Sequence, residues 1–206
     1  EIVAAALTAH APLITGRPDV GRPAQRDRLH AGFREIGRRL QAARPDLLVM
    51  FVNDHLQNFA YDNLPAFCVG LAPTYQCPSP GGAKLMRLEP RTVRGNPEWA
   101  MGLLEAGLEA GIDFAYAYEI ESWDELSVPL SFLMPAGLMP AGLMPAGLMP
   151  AGDVPIVTVY TNCAAPPLPS PRRCREVGAF VGDYIRGRAG AERIALVATG
   201  GLSHWV

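Results

Sequence analysis

Short apolar runs at residues 2–7, 47–52, 64–71, 114–118, 154–160 and 194–198 punctuate a chain whose intervening stretches are longer and mostly polar. Runs of this length are too short for buried helices and read as strands covered on both faces, the habit of parallel sheets. Between them lie helical patterns. Leu29, Phe33, Ile36 and Leu40 form one apolar stripe, and Trp99, Leu103, Leu104 and Leu108 form another, with Asn96 placed to cap its start and Gly111 to close it. Residues 171–185 read as a further helix, and 73–97, rich in Pro and Gly, as a long irregular excursion. The alternation predicts one α/β domain with a mostly parallel or mixed central sheet and helices on both faces. A length of 206 residues is enough for one such domain to bury its core without disulfides or a structural metal.

Three of the four histidines stand just past one of these apolar runs: His10, His55 and His204. Open α/β sheets bind ligands outside the carboxyl ends of their strands, so imidazoles at several strand ends can converge on one site. Converging imidazoles serve a metal or acid–base chemistry. The fourth, His30, falls within the amphipathic pattern over 24–40 and reads as a solvated or half-buried helix residue.

The charge balance, 18 basic against 20 acidic side chains for a net of -2, draws the molecule toward neither nucleic acid nor anionic membrane. No apolar span reaches membrane length without Pro, Gly or charge. Cys68, Cys77, Cys163 and Cys174 show no CxxC pairing, and Cys68 sits in an apolar run, which suits reduced thiols and a cytoplasmic protein. The start of the chain has no basic n-region and leads straight into a strand, unlike a signal peptide. Residues 133–152 repeat Leu-Met-Pro-Ala-Gly; proline at every fifth position forbids a continuous helix or central strand, so the segment reads as a low-complexity insertion in a loop. The chain has no initiator methionine and stops soon after His204, so the expectation is a single catalytic domain over 1–206 that continues past its C-terminus.

His10 and His55 with one carboxylate would form the two-histidine, one-carboxylate face that suits ferrous iron and leaves positions open. With His204 added, a three-histidine zinc site would instead point to hydration or hydrolysis. Asn53 and Asp54, beside His55, are placed to orient an imidazole through its other nitrogen or to cap the following turn. Thr199, Gly200 and Gly201 end the last apolar run, where glycines let the backbone turn sharply and approach a ligand. The spacing is not that of a dinucleotide or ATP loop. Ser203 adjoins His204, yet sequence neighbours on an extended chain point opposite ways and no GxSxG elbow is present, which argues against a serine hydrolase.

Taken together, the Ala-His-Ala-Pro run over 9–12, Asn-Asp-His-Leu-Gln-Asn-Phe over 53–59, residues 61–70, Val-Pro-Leu over 128–130, Ala-Pro-Pro-Leu-Pro over 165–169 and Thr-Gly-Gly-Leu-Ser-His over 199–204 resemble the class III extradiol ring-cleavage dioxygenases. That family includes the protocatechuate 4,5-dioxygenase beta subunit, gallate dioxygenases and 2,3-dihydroxyphenylpropionate 1,2-dioxygenase. The resemblance implies an Fe(II) enzyme that chelates a catechol-type aromatic acid of the protocatechuate, gallate or methylgallate kind and cleaves its ring with O2. His10 and His55 would be metal ligands and His204 the catalytic acid–base residue, with Asp124, Thr199, Gly200 and Gly201 against the substrate. It also implies a homo-oligomer or a second subunit. Two departures accompany it. The family's third iron ligand, a glutamate, is expected beyond residue 206, and Asp124 falls where a second active-site histidine often stands. These departures keep two alternatives open: a catalytically silent structural or regulatory subunit, and a zinc hydrolase on the same scaffold.

Overall fold

The computed structural model describes residues 1–134 and 154–201; most of the Leu-Met-Pro-Ala-Gly repeats, and His204 with its neighbours, lie outside them. The element order is β1 (Ile2–Thr8), α1 (Leu13–Gly16), α2 (Pro23–Ala42), β2 (Leu47–Asp54), β3 (Phe67–Gly70), β4 (Thr74–Cys77), α3 (Pro80–Met86), β5 (Arg91–Arg94), α4 (Pro97–Glu109), β6 (Ala115–Ala117), α5 (Asp124–Leu133), β7 (Ile156–Asn162), α6 (Pro171–Gly187) and β8 (Ile194–Thr199).

β2 shows why the sheet is central. Leu48, Met50 and Val52 pack into one core and Leu47 and Val49 into another, so successive side chains feed opposite faces. The first core is closed by Leu40 of α2 and by Leu126, Leu130 and Leu133 of α5. The second is closed by Trp99, Leu103 and Leu104 of α4 and Val177, Val181 and Ile185 of α6. α2 and α5 approach closely because position 37 is glycine: a Cβ there would run into the Phe132 carbonyl. The Asn96 side chain caps α4, accepting from the Trp99 N–H at 3.0 Å, and Gly111 follows the helix with φ of 72°.

The sheet runs β1-β8-β2-β7-β3-β6. β3 pairs antiparallel with β7 and the other pairings are parallel, so the sheet is mixed. The arrangement is the single α/β layer structure that the alternation predicts.

Residues 73–97 differ from the expected irregular excursion. β4 and β5 form an antiparallel pair, with Tyr75, Cys77 and Val93 turned inward, and α3 lies between them. The prolines mislead because Pro80 and Pro97 occupy first helical positions, where proline's missing N–H costs nothing and its fixed φ helps. Two of the five prolines there mark helix starts.

Candidate metal centre

β8 lies between β1 and β2, so the strands that deliver His10 and His55 flank it. Neighbouring strands stand about 4.8 Å apart, which leaves the ends of β1 and β2 roughly 10 Å apart. The two imidazoles lean over the end of β8 from either side and meet with ring centroids 5.1 Å apart, edge to face. Asp124, the first residue of α5, arrives from the face of the sheet that α5 covers, with its Oδ1 3.9 Å from His55 Nδ1. One ligand atom from each of His10, His55 and Asp124 lies within 4.8 Å of the other two. Two atoms bound to one ion at about 2.1 Å stand no more than about 4.2 Å apart, so the His55 to Asp124 spacing already fits a shared metal. Two imidazoles and a carboxylate are a donor set for a divalent first-row ion, so this cluster could hold one.

The tautomer of His10 follows from its partner. The Thr199 hydroxyl donates its single proton to the Glu125 carbonyl at 3.0 Å, so toward His10 Nδ1, at 3.0 Å, it can only accept. His10 therefore carries its proton on Nδ1 and its lone pair on Nε2, the arrangement of a metal-binding imidazole anchored through its other nitrogen. The Glu125 carbonyl is available because of Pro129. In an uninterrupted helix residue 129 would donate to the carbonyl of residue 125; proline has no N–H, and the Thr199 hydroxyl takes its place. The Val-Pro-Leu run thus reaches the candidate centre through a vacated helical hydrogen bond. We expect Thr199→Val to weaken metal binding about 10–100-fold, as loss of an outer partner of a ligating histidine commonly does. Titration of a divalent metal into the variant and the parent checks this.

His55 is held by the turn that follows it. Asp54 is buried and accepts from the backbone N–H groups of Gln57, Asn58 and Phe59 at 3.0–3.1 Å and from the Asn58 side chain at 3.0 Å. Asn58 in turn accepts from the Glu121 N–H at 2.7 Å and donates to its carbonyl at 3.0 Å, which ties this turn to the approach to α5. Of the two roles open to Asp54, the structure shows the turn cap. The Asp124 carboxylate first, and the Cys163 thiol second, push the His55 pKa up to about 10, against burial, which lowers it.

The other site residues of the sequence analysis fall at the same end of the sheet. Thr199 closes β8, and the Gly200 N–H donates to the Thr8 carbonyl at 3.0 Å. A Cβ at Gly200 would sit 2.9 Å from Asn53 Oδ1, so a larger residue there would have to turn the Asn53 side chain aside. Gly201 is exposed. His204 lies outside the described residues.

Two neighbours escape the histidine pattern. Cys163 follows β7, so the strand-end rule that marks the histidines also marks it; Asn162 holds its loop by donating to the Ala165 carbonyl at 2.9 Å and accepting from the Ala164 N–H at 3.0 Å. Glu125 is buried beside Asp124 and accepts from the Trp123 N–H at 3.1 Å and the Tyr160 hydroxyl at 3.3 Å. Burial, with the Asp124 and Asp54 carboxylates adding to it, pushes the Glu125 pKa up to about 8 although backbone N–H donors pull it down. A glutamate inside an apolar helix stretch carries no periodic signal that would single it out.

Comparison with known proteins places this site in context. The chain is 32% identical over 166 residues to 2,3-dihydroxyphenylpropionate/2,3-dihydroxicinnamic acid 1,2-dioxygenase 2 of Pseudomonas putida, covering 81% of this chain and 46% of that one. It is 29% identical over 199 residues to the enzyme of the corresponding name from Photorhabdus laumondii, covering 96% and 54%. For that from Escherichia coli the identity is 31% over 197 residues, covering 95% and 54%. The chain spans about half the length of the curated relatives it matches. The family model described as the catalytic LigB subunit of aromatic ring-opening dioxygenase matches residues 4–206, and the chain belongs to that family.

Proposed function

We propose that this chain carries the metal-binding part of an Fe(II)-dependent extradiol dioxygenase that opens the ring of a catechol-type aromatic acid with O2. The observation that supports it most is the convergence of His10, His55 and Asp124 at the carboxyl end of the sheet, with His10 fixed in the metal-binding tautomer by Thr199. In this reading His10 and His55 are ligands and Asp124 supplies the carboxylate of the face. A bound ferrous ion would supply a redox-active Lewis acid for a chelated diol and O2. The residues do the rest: Thr199 aims His10, Asp54 sets the turn that holds His55, and the acid–base role of His204 rests on the family resemblance. Thr199, Gly200 and Gly201 form the strand end against which the diol would lie.

The substrate class follows the relatives, whose names specify 2,3-dihydroxyphenylpropionate; protocatechuate, gallate and methylgallate are the other members of the class to compare. Four free cysteines, two of them buried, agree with a reducing compartment such as the cytoplasm. Among the described residues no helix is long and apolar enough to cross a membrane.

Oxygen uptake tests the proposal. Full-length protein, purified without oxygen and reconstituted with Fe(II), is challenged in turn with 2,3-dihydroxyphenylpropionate, protocatechuate, gallate and 3-O-methylgallate. Uptake with a ring-opened product is expected for at least one. No uptake with any of them, despite bound iron, would favour a silent subunit, and retention of zinc with hydrolytic activity would favour a zinc hydrolase.

A further inference from the structure

The loop from β1 to α2 and the first turns of α2 enclose a groove of about 420 Å³, a volume in the range of small-molecule sites. Its wall includes Ala11, the residue that follows His10 in the chain. Leu13, Ile14, Val20 and Leu29 give it apolar walls, and Leu13, Val20 and Leu29 are more than two-fifths exposed. Arg17, Arg22 and Arg26 line it, and among the described residues no carboxylate does. Asp19 stands 3.6 Å from Arg17 and Asp27 3.4 Å from Arg26, while Arg22 has no ion-pair partner among the described residues. Gly21, at φ of 94°, lets the loop turn back over the groove. The His30 ring nitrogen donates to the Ile14 carbonyl at 3.3 Å and fixes the inner wall.

We propose that this groove binds the carboxylate-bearing side chain of the aromatic substrate, with Arg22 as the principal contact and Arg17 and Arg26 beside it. The inference rests on the ring-cleavage reading above and adds the part of the ligand that determines specificity. The chemistry selects the occupant. Arginine forks match a carboxylate, and an inorganic anion would leave the apolar walls in water, whereas an aryl-alkyl acid covers those walls and brings its charge to the guanidinium groups. A neutral catechol meets the walls and leaves the cations unused.

The test compares full-length protein with Arg22→Gln and with the Arg17→Gln/Arg26→Gln double variant; all three side chains are on an open groove, so the variants should fold, and circular dichroism checks that. Calorimetric titration of metal-free protein with 3-phenylpropionate and with 3-phenylpropanol reads the groove without turnover. Wild type should prefer the acid, and Arg22→Gln should weaken the acid at least about tenfold relative to the alcohol, the scale of one charge-assisted hydrogen bond. In the Fe(II)-loaded enzyme the ratio of kcat/KM for 2,3-dihydroxyphenylpropionate over 3-methylcatechol should fall by a similar factor. Equal affinity of both variants and the parent for 3-phenylpropionate overturns the groove assignment, whatever turnover shows. Cleavage of neither diol, with 3-phenylpropionate binding lost in the variants, upholds the groove and overturns the ring-cleavage reading.

Discussion

His10→Ala and His55→Ala are each expected to abolish tight binding of a divalent first-row metal, lowering affinity by more than about 100-fold; under the proposed function ring cleavage would fall with it. The size follows from a comparison. Loss of an outer hydrogen-bond partner already costs about 10–100-fold, and removing a donor atom costs more because the remaining two must hold the ion alone. Asp124→Ala is expected to act in the same direction, since the Asp124 carboxylate is the acidic group that the described residues bring into the cluster with both imidazoles. Asp124→Asn separates its possible roles: the amide keeps one oxygen at the same place but removes the charge, so a ligating carboxylate loses most of its affinity while a mere acceptor for a substrate hydroxyl does not. Metal content after dialysis and the visible spectrum of the Co(II) form measure each variant. Full metal occupancy in either histidine variant would overturn the donor set.

Glu125→Gln changes how stability depends on pH. The Glu125 carboxyl holds its proton to about pH 8 in the folded protein, where its ordinary value is 4.5. Between those values the unfolded chain has released the proton and the folded chain has kept it, so stability falls as pH rises through the window and is level on either side. Each pH unit in the window is worth about 1.4 kcal/mol, which makes the full effect several kcal/mol. His55 adds a second slope of the same sign. Its folded value of about 10 lies above the ordinary 6.5, so its stabilisation is complete below 6.5 and is lost as pH rises toward 10. The interval from about pH 4.5 to 6.5 therefore isolates Glu125. Denaturant unfolding of metal-free protein should show a parent that weakens across that interval and a Glu125→Gln variant that stays level and is the more stable of the two near pH 8. A parent with no slope between pH 4.5 and 6.5 would contradict the buried neutral carboxyl.

Much of the site is legible in local sequence because a strand end is a local feature. An apolar run followed by a polar residue marks His10 and His55 without any knowledge of pairing, and the Thr-Gly-Gly run marks the close approach of Gly200 to Asn53. Helix caps are equally local, which is why Asn96 and Gly111 bound α4 as their residue types require. The reading fails where a residue type serves two roles: Pro80 and Pro97 look like loop and act as helix starts.

The alternation of apolar runs with amphipathic stretches is enough to determine a layered α/β domain, because burying a two-faced strand and a one-striped helix admits few other packings. Strand order is different, since it depends on hydrogen bonding between segments as distant as Ile2 and Ile194 and leaves no trace in local composition. Only the tertiary structure inserts β8 between β1 and β2, and that insertion brings two imidazoles within 5.1 Å and sets Thr199 beneath His10. The carbonyl vacated by Pro129 takes part for the same reason: a missing N–H can be read from the sequence, whereas the hydroxyl that replaces it arrives from a strand at the other end of the chain.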